Sequence, residues 1–335
     1  MSLRISLILM IILAYISIGV TCYYTQENQS TYNLEDPPFF YNIDTEKLSK
    51  IIVETGEKKQ TWYHNKKFDK WFFETPKNTP ANIFRWGGIT QLLGGPKTQR
   101  VIKSEIDDLS KYGLNNPTMI ITIELSDTTN IKLLIGSLTP DKTSHYSMVD
   151  GYPQLVLVDS SWGNIFERLV NDPPYPDWYY SMDPSTAKEI LFYLEGDVIL
   201  GYSFDKKNNI WNTCNLPITT DPCIGDVIAD QENIKDLLQL ISNPKINGVE
   251  VIGVQNDKEY AKYGAELNAP YIALRIETNL DSGVTEVTRT SITIGSSEPE
   301  ISENPSKYAV INETSDIVLI NEEWGNKLLN YFPNK

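Results

Sequence analysis

The chain of 335 residues is poor in the side chains that metal sites and nucleophilic catalysis most often use, with two histidines and three cysteines. These numbers leave too few ligands for a His-rich metal site or an iron–sulfur cluster. Basic residues are also scarce, since 29 Lys and Arg face 44 Asp and Glu and the net charge is −15. Such a surface repels nucleic acid and anionic lipid headgroups, so we expect neither as a ligand of the main body.

The longest apolar run lies at the N-terminus, where Ile5 to Val20 contains no charged residue and follows Arg4. As a helix this run covers roughly 24 Å, slightly less than the hydrocarbon core of a bilayer. We therefore expect residues 1–24 to be a membrane anchor or a cleaved signal segment, with residues 3–22 in the membrane. The basic residue before the run and the acidic stretch after it favour a body on the extracytoplasmic side, periplasmic or at the cell surface.

Cys22 leaves a third version of this segment open, in which the cysteine is acylated as in a lipoprotein. The fit to a lipoprotein cleavage site is poor. Thr21 is bulkier than the small residue usual before the cysteine, and Gly19 stands where an aliphatic residue is expected. All three versions place the body on the far side of a membrane.

The other two cysteines, Cys214 and Cys223, lie close together in a segment that also contains two prolines. An oxidising compartment permits a disulfide there. Closing a loop of this length stabilises the fold by about 2.7 kcal/mol in the chain-entropy model. The spacing is too long for a CxxC redox or zinc pair. We expect a structural disulfide, and two free buried thiols remain the alternative.

The strongest internal signal is a repeat, because Tyr146 to Asn164 aligns without gaps with Tyr308 to Asn326 and both segments end in Trp-Gly-Asn. Upstream, Lys111-Tyr112-Gly113 matches Lys262-Tyr263-Gly264, and Ile135-Gly136-Ser137 matches Ile294-Gly295-Ser296. The offset grows along the chain, which places extra residues of the second copy near 214–230 and 281–305. A period of this length predicts two tandem homologous modules, at 40–170 and 184–333.

Each module is predicted to be α+β, with antiparallel strands and a few short helices. In the first module, strands are expected at 49–54, 60–63, 70–73 and 100–104, and a hairpin at 118–125 and 131–135. A helix capped by Thr79 and begun by Pro80 should run to Gly94, and a helical turn should follow at 107–112. In the second module, Asp230 is the predicted helix cap and Asn243-Pro244 the stop.

Residues 171–183 between the modules contain three prolines in four positions and then three consecutive aromatic residues. Proline fixes its own φ and disfavours helix at the preceding residue, so we expect a stiff linker. Tyr175, Trp178 and Tyr179 are candidate partner-binding residues, because Tyr and Trp dominate binding hot spots. The alternative is that these rings pack into a groove between the modules.

The segment from Lys111-Tyr112-Gly113 to Pro117, followed by an apolar strand and Leu134-Ile135-Gly136-Ser137, resembles the family catalogued as domain of unknown function 4340. The apolar N-terminus ending in Tyr23-Tyr24, and Trp71 followed by Pro76, are similar to that family as well. The resemblance implies a membrane-tethered extracytoplasmic protein, in some relatives associated with ABC transporters of the gliding-motility type. It supplies no catalytic residues. The second copy departs from the pattern, because two extra residues precede Pro270.

Catalytic chemistry has little support in the sequence. His64 lies in a predicted exposed strand and His145 in a polar loop, and no Gly-x-Ser-x-Gly elbow accompanies them. Neither histidine recurs in the other copy, so we assign both to the surface. We identify no catalytic, cofactor-binding or metal-binding residue and expect no cofactor. The repeated Trp162-Gly163-Asn164 and Trp324-Gly325-Asn326 are interpreted as structural.

These observations favour a non-enzymatic, membrane-anchored extracytoplasmic scaffold or accessory subunit of a membrane complex, and a transporter is one candidate for that complex. Its expected partners are integral membrane or envelope proteins. A solute- or carbohydrate-binding protein that uses the cleft between the modules is the alternative, and a hydrolase is third.

Overall fold

The computed structural model describes residues 40–333 apart from residues 99, 104, 300–303 and 312–313. The predicted membrane segment and Cys22 lie outside the described residues. Within the described part of the chain, no helix is long and apolar enough to cross a bilayer. Antiparallel strands in two sheets, with a few short helices, make the fold α+β as the sequence predicts.

The first sheet contains eight strands in the spatial order β3-β2-β1-β5-β6-β7-β8-β4. Its strands are β1 (Leu48–Thr55), β2 (Lys58–Asn65), β3 (Lys70–Phe73), β4 (Arg100–Lys103), β5 (Met119–Leu125), β6 (Asn130–Leu138), β7 (Ser144–Val149) and β8 (Leu155–Asp159). Burial alternates strictly along β5, where Ile121 and Ile123 are fully buried, because successive side chains of a strand point to opposite faces.

The second sheet contains nine strands in the order β12-β11-β10-β9-β14-β15-β16-β17-β13. Its strands are β9 (Ala187–Leu194), β10 (Asp197–Asp205), β11 (Ile210–Thr213), β12 (Val227–Ile228), β13 (Ile246–Val251), β14 (Tyr271–Asn279), β15 (Thr285–Ser297), β16 (Ser306–Ile311) and β17 (Ile317–Asn321). The hairpin of β14 and β15 pairs Tyr271 with Thr293 at one end and Asn279 with Thr285 at the other.

Six α-helices lie in the described residues: α1 (Ile83–Trp86), α2 (Ile89–Gly94), α3 (Ser161–Asn171), α4 (Gln231–Ile241), α5 (Asp257–Ala261) and α6 (Glu322–Leu329). The core of the second sheet forms where α4 and α6 pack on one face of the strands. Leu237 of α4 and Leu328 of α6 are buried there with Phe192 and Ile272.

The helix predicted from Thr79 to Gly94 is wrong. Thr79 and Pro80 are extended, because the chain turns back along β3: the Phe73 N–H donates to the Thr79 carbonyl at 2.8 Å. Two short helices replace the single predicted one, and Asn82 caps the first by accepting from the backbone N–H groups of Phe84 and Arg85. The Asp230 cap is confirmed, since its carboxylate accepts from the Asn233 N–H at 3.1 Å.

The chain divides into two compact units. The smaller unit comprises the described residues up to Glu46, with Thr90–Thr118 and Leu133–Asn164. The larger unit comprises Lys47–Ile89, Met119–Lys132 and the chain from Ile165 onward. The larger unit therefore holds β1, β2, β3 and β5 together with the whole second sheet, and its boundaries differ from the predicted modules at 40–170 and 184–333.

Candidate functional site

The two histidines lie in strands, and each has a defined neighbour. His64 Nε2 is 3.2 Å from Asp69 Oδ1, and its ring lies against Trp71. His145 belongs to β7, so its assignment to a polar loop was wrong; its Nδ1 lies 3.1 Å from the Gly136 carbonyl. A search of the described residues finds no group of three or more His, Cys, Asp or Glu side chains that could hold a metal ion.

The candidate aromatic residues of the linker are half-buried and contact one another. Tyr175 is stacked between Phe73 and Tyr179, with ring centroids 4.4 and 4.1 Å away. Burial, with a smaller contribution from the neighbouring Tyr179 and Tyr180, raises the pKa of Tyr175 to about 12. Trp178 and Tyr179 pack against the core of the second sheet. Much of the apolar area of these rings is thus used inside the larger unit.

The linker also holds helix α1 in place. The Asn82 N–H donates to the Pro174 carbonyl at 2.8 Å, and the Asn82 side-chain amide donates to Asp177 at 3.1 Å. Arg85 forms an ion pair with Asp172 and lies over the ring of Tyr180. At the end of the helix, Trp86 is buried, so one turn of helix is fixed at both ends.

Two large apolar side chains project from this fixed turn. Ile83 is 75% exposed and Phe84 is 93% exposed. We call these two residues the apolar prong. Its base is the ring of Trp86, which is 5% exposed and packs on Trp62 and Trp71 with centroid distances of 5.3 and 5.4 Å. Exposed apolar side chains on an ordered backbone turn are suited to contact a partner, because little backbone order has to be gained on binding.

A pocket of about 300 Å³ lies in the larger unit between the linker and the core face of β14 and β15. Trp178, Tyr180 and Met182 of the linker form one side, and Ile272, Leu274 and Trp324 form part of the floor. This volume is at the lower end of the range found for small-molecule sites. The pocket is an apolar concavity beside the predicted aromatic residues.

Cys214 and Cys223 are joined by a disulfide with Cα atoms 5.8 Å apart. The loop between them reaches across one face of the second sheet. The Cys223 N–H donates at 2.6 Å to Glu189, which is only 3% exposed. Asp221 in the same loop pairs with Arg275 at 3.0 Å and with Arg289 at 2.6 Å.

The acidic side chains around this loop are paired with basic side chains on the sheet. The Arg289 guanidinium hydrogen-bonds Asp221 and, together with the charge of Arg275, holds the pKa of the Asp221 carboxyl below its usual value. A hydrogen bond and charge from Lys206, followed by Arg275, lower the pKa of Glu277 in the same way. Both carboxylates stay ionised near neutral pH, and the pairs of Asp221 with Arg275 and Arg289 hold the loop on the sheet.

The two short motifs that carry the family resemblance meet in space. A Cβ atom at Gly136 would collide with the Tyr112 carbonyl, and one at Gly113, where φ is +70°, would collide with Ser137. The equivalent residues of the second sheet behave alike, because a Cβ at Gly295 would collide with the Tyr263 carbonyl. Glycine is therefore required where this turn lies against the following strand.

The repeated Trp-Gly-Asn segments lie at the start of the terminal helices, consistent with their structural interpretation. Trp162 and Trp324 are each 5% exposed, and the Trp324 indole N–H donates to the Leu240 carbonyl at 2.9 Å. Gly163 faces His145, whose Nε2 would lie 2.6 Å from a Cβ at that position. The Gly325 position faces Lys307 in the corresponding way.

Sequence reasoning missed the apolar prong and did not locate the pocket on its strands. The polar Asn82 before Ile83 and Phe84 was a usable signal for a helix start. No sequence signal showed that these two apolar side chains would face solvent, since both suit a helix packed on a core.

Comparisons with known proteins add one family and one distant relative. Residues 71–264, more than half of the chain, match the family described as Domain of unknown function (DUF4340). The chain is also 21% identical over 174 residues to phosphoribosylformylglycinamidine synthase subunit PurQ of Corynebacterium efficiens, which covers 51% of this chain and 71% of that protein. No solved structure matches. At 21% identity the likeness to PurQ assigns no activity, whereas the family match shows that the chain belongs to the family described as Domain of unknown function (DUF4340).

Proposed function

We propose that the chain is a membrane-anchored, extracytoplasmic, non-enzymatic scaffold or accessory subunit of a membrane protein complex. The observation that carries the proposal is the apolar prong. Ile83 and Phe84 expose apolar surface from a turn that is capped by Asn82 and anchored by Trp86. The backbone turn that carries both side chains is already ordered, so binding costs little backbone entropy and the exposed apolar area contributes to affinity.

The linker residues Tyr175, Trp178 and Tyr179 take part in this surface as its support. They pack inside the larger unit, and the backbone next to them accepts the hydrogen bond from Asn82. A change in these rings would thus shift the prong without removing it. In this proposal the aromatic linker positions the binding residues, and Phe84 contacts the partner.

Two tandem copies of one module form the second part of the proposal. Read from β3 to β4, the strand order of the first sheet corresponds step by step to the order from β11 to β13 in the second sheet. The motifs that align in sequence also occupy equivalent places, with Tyr112 against Tyr146 at 5.0 Å and Tyr263 against Tyr308 at 4.9 Å. Duplication explains both the order and the paired rings.

The membrane part of the proposal depends on the sequence, where residues 3–22 contain the uncharged run from Ile5 to Val20 and lie ahead of the acidic body. A body tethered in this way searches for partners in two dimensions near the membrane surface. Its expected partners are integral membrane or envelope proteins, and transporter complexes are the class that the family resemblance suggests.

Site-specific crosslinking tests the proposal. A photo-crosslinking residue replaces Phe84 in the full chain, in its native membranes, and the adducts are identified after detergent extraction. We expect adducts with an integral membrane or envelope protein, and we expect Ile83→Asp to abolish them because it places a charge in the apolar contact.

Leu267 provides the matched control, since it is 79% exposed and apolar but lies far from α1 in the sequence. Adducts from position 84 that also form from position 267, or that survive Ile83→Asp, would show non-specific capture and contradict the proposed surface. A chain that lacks residues 1–24, carries Ile83→Asp and still fractionates with membranes would contradict the anchor.

A further inference from the structure

The pocket beside the linker has an apolar floor and a polar mouth. Ile272 and Leu274 on the floor are 0% and 3% exposed, and Trp324 is 5% exposed. At the opening, Asp177 and Thr288 are exposed to solvent. A molecule in this pocket would therefore bury an apolar end and keep a polar end near water.

Strand register defines which side chains face the pocket. Ile276 lies opposite Thr288, and Leu274 lies opposite Thr290. Directly opposed residues of antiparallel strands share a face, so Thr288 projects to the same face as the floor. Val287 is the next residue along β15 and projects to the other face of the sheet.

Asp177 carries the charge at the mouth, where it accepts a hydrogen bond from Asn82 at 3.1 Å. Arg289 follows Thr288 on β15, so its side chain projects to the other face of the sheet, where it pairs with Asp221 at 2.6 Å. The Asp177 carboxylate repels an anionic ligand, and an ion pair with a cationic ligand at this exposed position would contribute little to affinity. The arrangement consequently favours a ligand without net charge.

The volume limits the size of the ligand. A pocket of about 300 Å³ holds about ten water-sized groups. This corresponds to one or two fused rings or to a short acyl chain. A sugar of the same size would place several hydroxyl groups against isoleucine and leucine without hydrogen-bond partners, which is unfavourable.

We propose that this pocket binds a small neutral amphiphile, with an aromatic or short aliphatic body on the floor formed by β14 and β15 and its polar end at the mouth. Trp178 and Tyr180 cover the body of the ligand from the linker side. The site is separate from the apolar prong and does not depend on the proposed scaffold function.

Titration with 2-naphthol, a neutral fused-ring alcohol of about the right size, tests the site in the full chain in detergent. We expect saturable binding at one molecule per chain, followed by naphthol fluorescence. Thr288→Trp fills the mouth from an exposed position and should weaken binding by about tenfold or more. The matched variant Val287→Trp, on the opposite face of the same strand, should leave the affinity within about twofold.

A parallel titration with glucose tests whether the pocket binds carbohydrate instead. Saturable glucose binding that Thr288→Trp blocks, with no saturable naphthol binding, would overturn the proposed ligand class. Naphthol binding that is non-saturable, or that both tryptophan variants change equally, would overturn the site. Unchanged thermal unfolding of both variants verifies that the fold is intact, and crosslinking at position 84 tests the scaffold function independently.

Discussion

The first and second sheets share a strand order but differ in what each adds to it. The first sheet is accompanied by the apolar prong on α1, for which the second sheet has only an extended segment and the longer helix α4. The second sheet adds the edge strand β12, the disulfide loop and the long hairpin of β14 and β15. The shared strand order forms the common scaffold of both sheets, and we propose that the additions provide the specific contacts.

The two sheets also differ in one pair of oppositely charged residues on their central strands. In the first sheet Lys50 lies opposite Glu124, whereas in the second sheet Glu189 lies opposite Arg275. The sign of each charge is exchanged while an opposite-charge pair is kept. Lys50 also pairs with Glu74 at 3.0 Å, whereas Glu189 is covered by the disulfide loop.

The largest expected effect concerns the feature that the two sheets share. Replacing Trp162 or Trp324 by Ala should lower the free energy of unfolding by about 3–5 kcal/mol in each case, because both rings are buried. Denaturant unfolding of the two variants measures this. A loss below about 1 kcal/mol for either one would show that the repeated Trp-Gly-Asn segments do not share a structural role.

The disulfide belongs to the second sheet alone. Peptide mapping without reductant should find Cys214 joined to Cys223 in the mature protein. Replacing both cysteines by Ala should reduce the stability by about 2.7 kcal/mol, because the unfolded chain is no longer closed into a loop. Two free thiols in freshly isolated protein would contradict the bridge and weaken the argument for an oxidising compartment.

The exchanged charge pairs predict that the loss of stability on substitution differs between the two sheets. Glu189→Ala should cost about 1–3 kcal/mol, because it leaves the Cys223 N–H without its acceptor beneath the loop. Lys50→Ala, which removes a partly exposed ion pair, should cost at most about 1 kcal/mol. Glu189→Gln, which keeps an acceptor oxygen, serves as the control, and equal losses for Glu189→Ala and Lys50→Ala would contradict the difference between the two sheets.

The smallest expected effect is a pH dependence of the loop. The pKa of Asp221 is lowered in the folded protein, so its ion pairs stabilise the fold above the ordinary carboxyl pKa of about 4 and are lost as the pH falls through the lower folded value. The unfolding temperature should thus fall less steeply between about pH 5 and pH 2 for Asp221→Asn than for the parent chain. Identical pH profiles of the two proteins would show that these exposed ion pairs do not contribute to stability.

Sequence patterns predicted the regular elements well where local chemistry decides them. The strand predicted at 70–73 is β3, and the cap at Asp230 begins α4. The helix at Thr79 failed because a tertiary hydrogen bond from Phe73 holds that segment extended, and no local preference encodes this contact. Proline at position 80 suits an extended segment as well as a helix start.

The candidate site was harder to predict than the strands, because the exposure of its side chains also depends on tertiary contacts. The linker aromatics were recognised by composition, but their half-buried state depends on Phe73 and on the core of the second sheet. Phe84 has the character of a core residue, and its exposure follows from the burial of Trp86 at the other end of one helical turn. Which of these aromatic side chains is buried depends on three-dimensional packing and leaves no periodic pattern in the sequence.

The linker contacts make the boundary between the proposed copies a poor place to divide the chain, because Tyr175 stacks on Phe73 while Trp178 and Tyr179 pack against the core of the second sheet. A second contact crosses the same boundary in sequence, since the Val249 N–H donates to the Lys77 carbonyl at 2.8 Å. A fragment that begins after the linker would lose Trp178 and Tyr179 from its core and the Lys77 acceptor of Val249, and it would expose an edge of β13. We therefore expect that neither of the proposed copies folds stably when it is expressed alone.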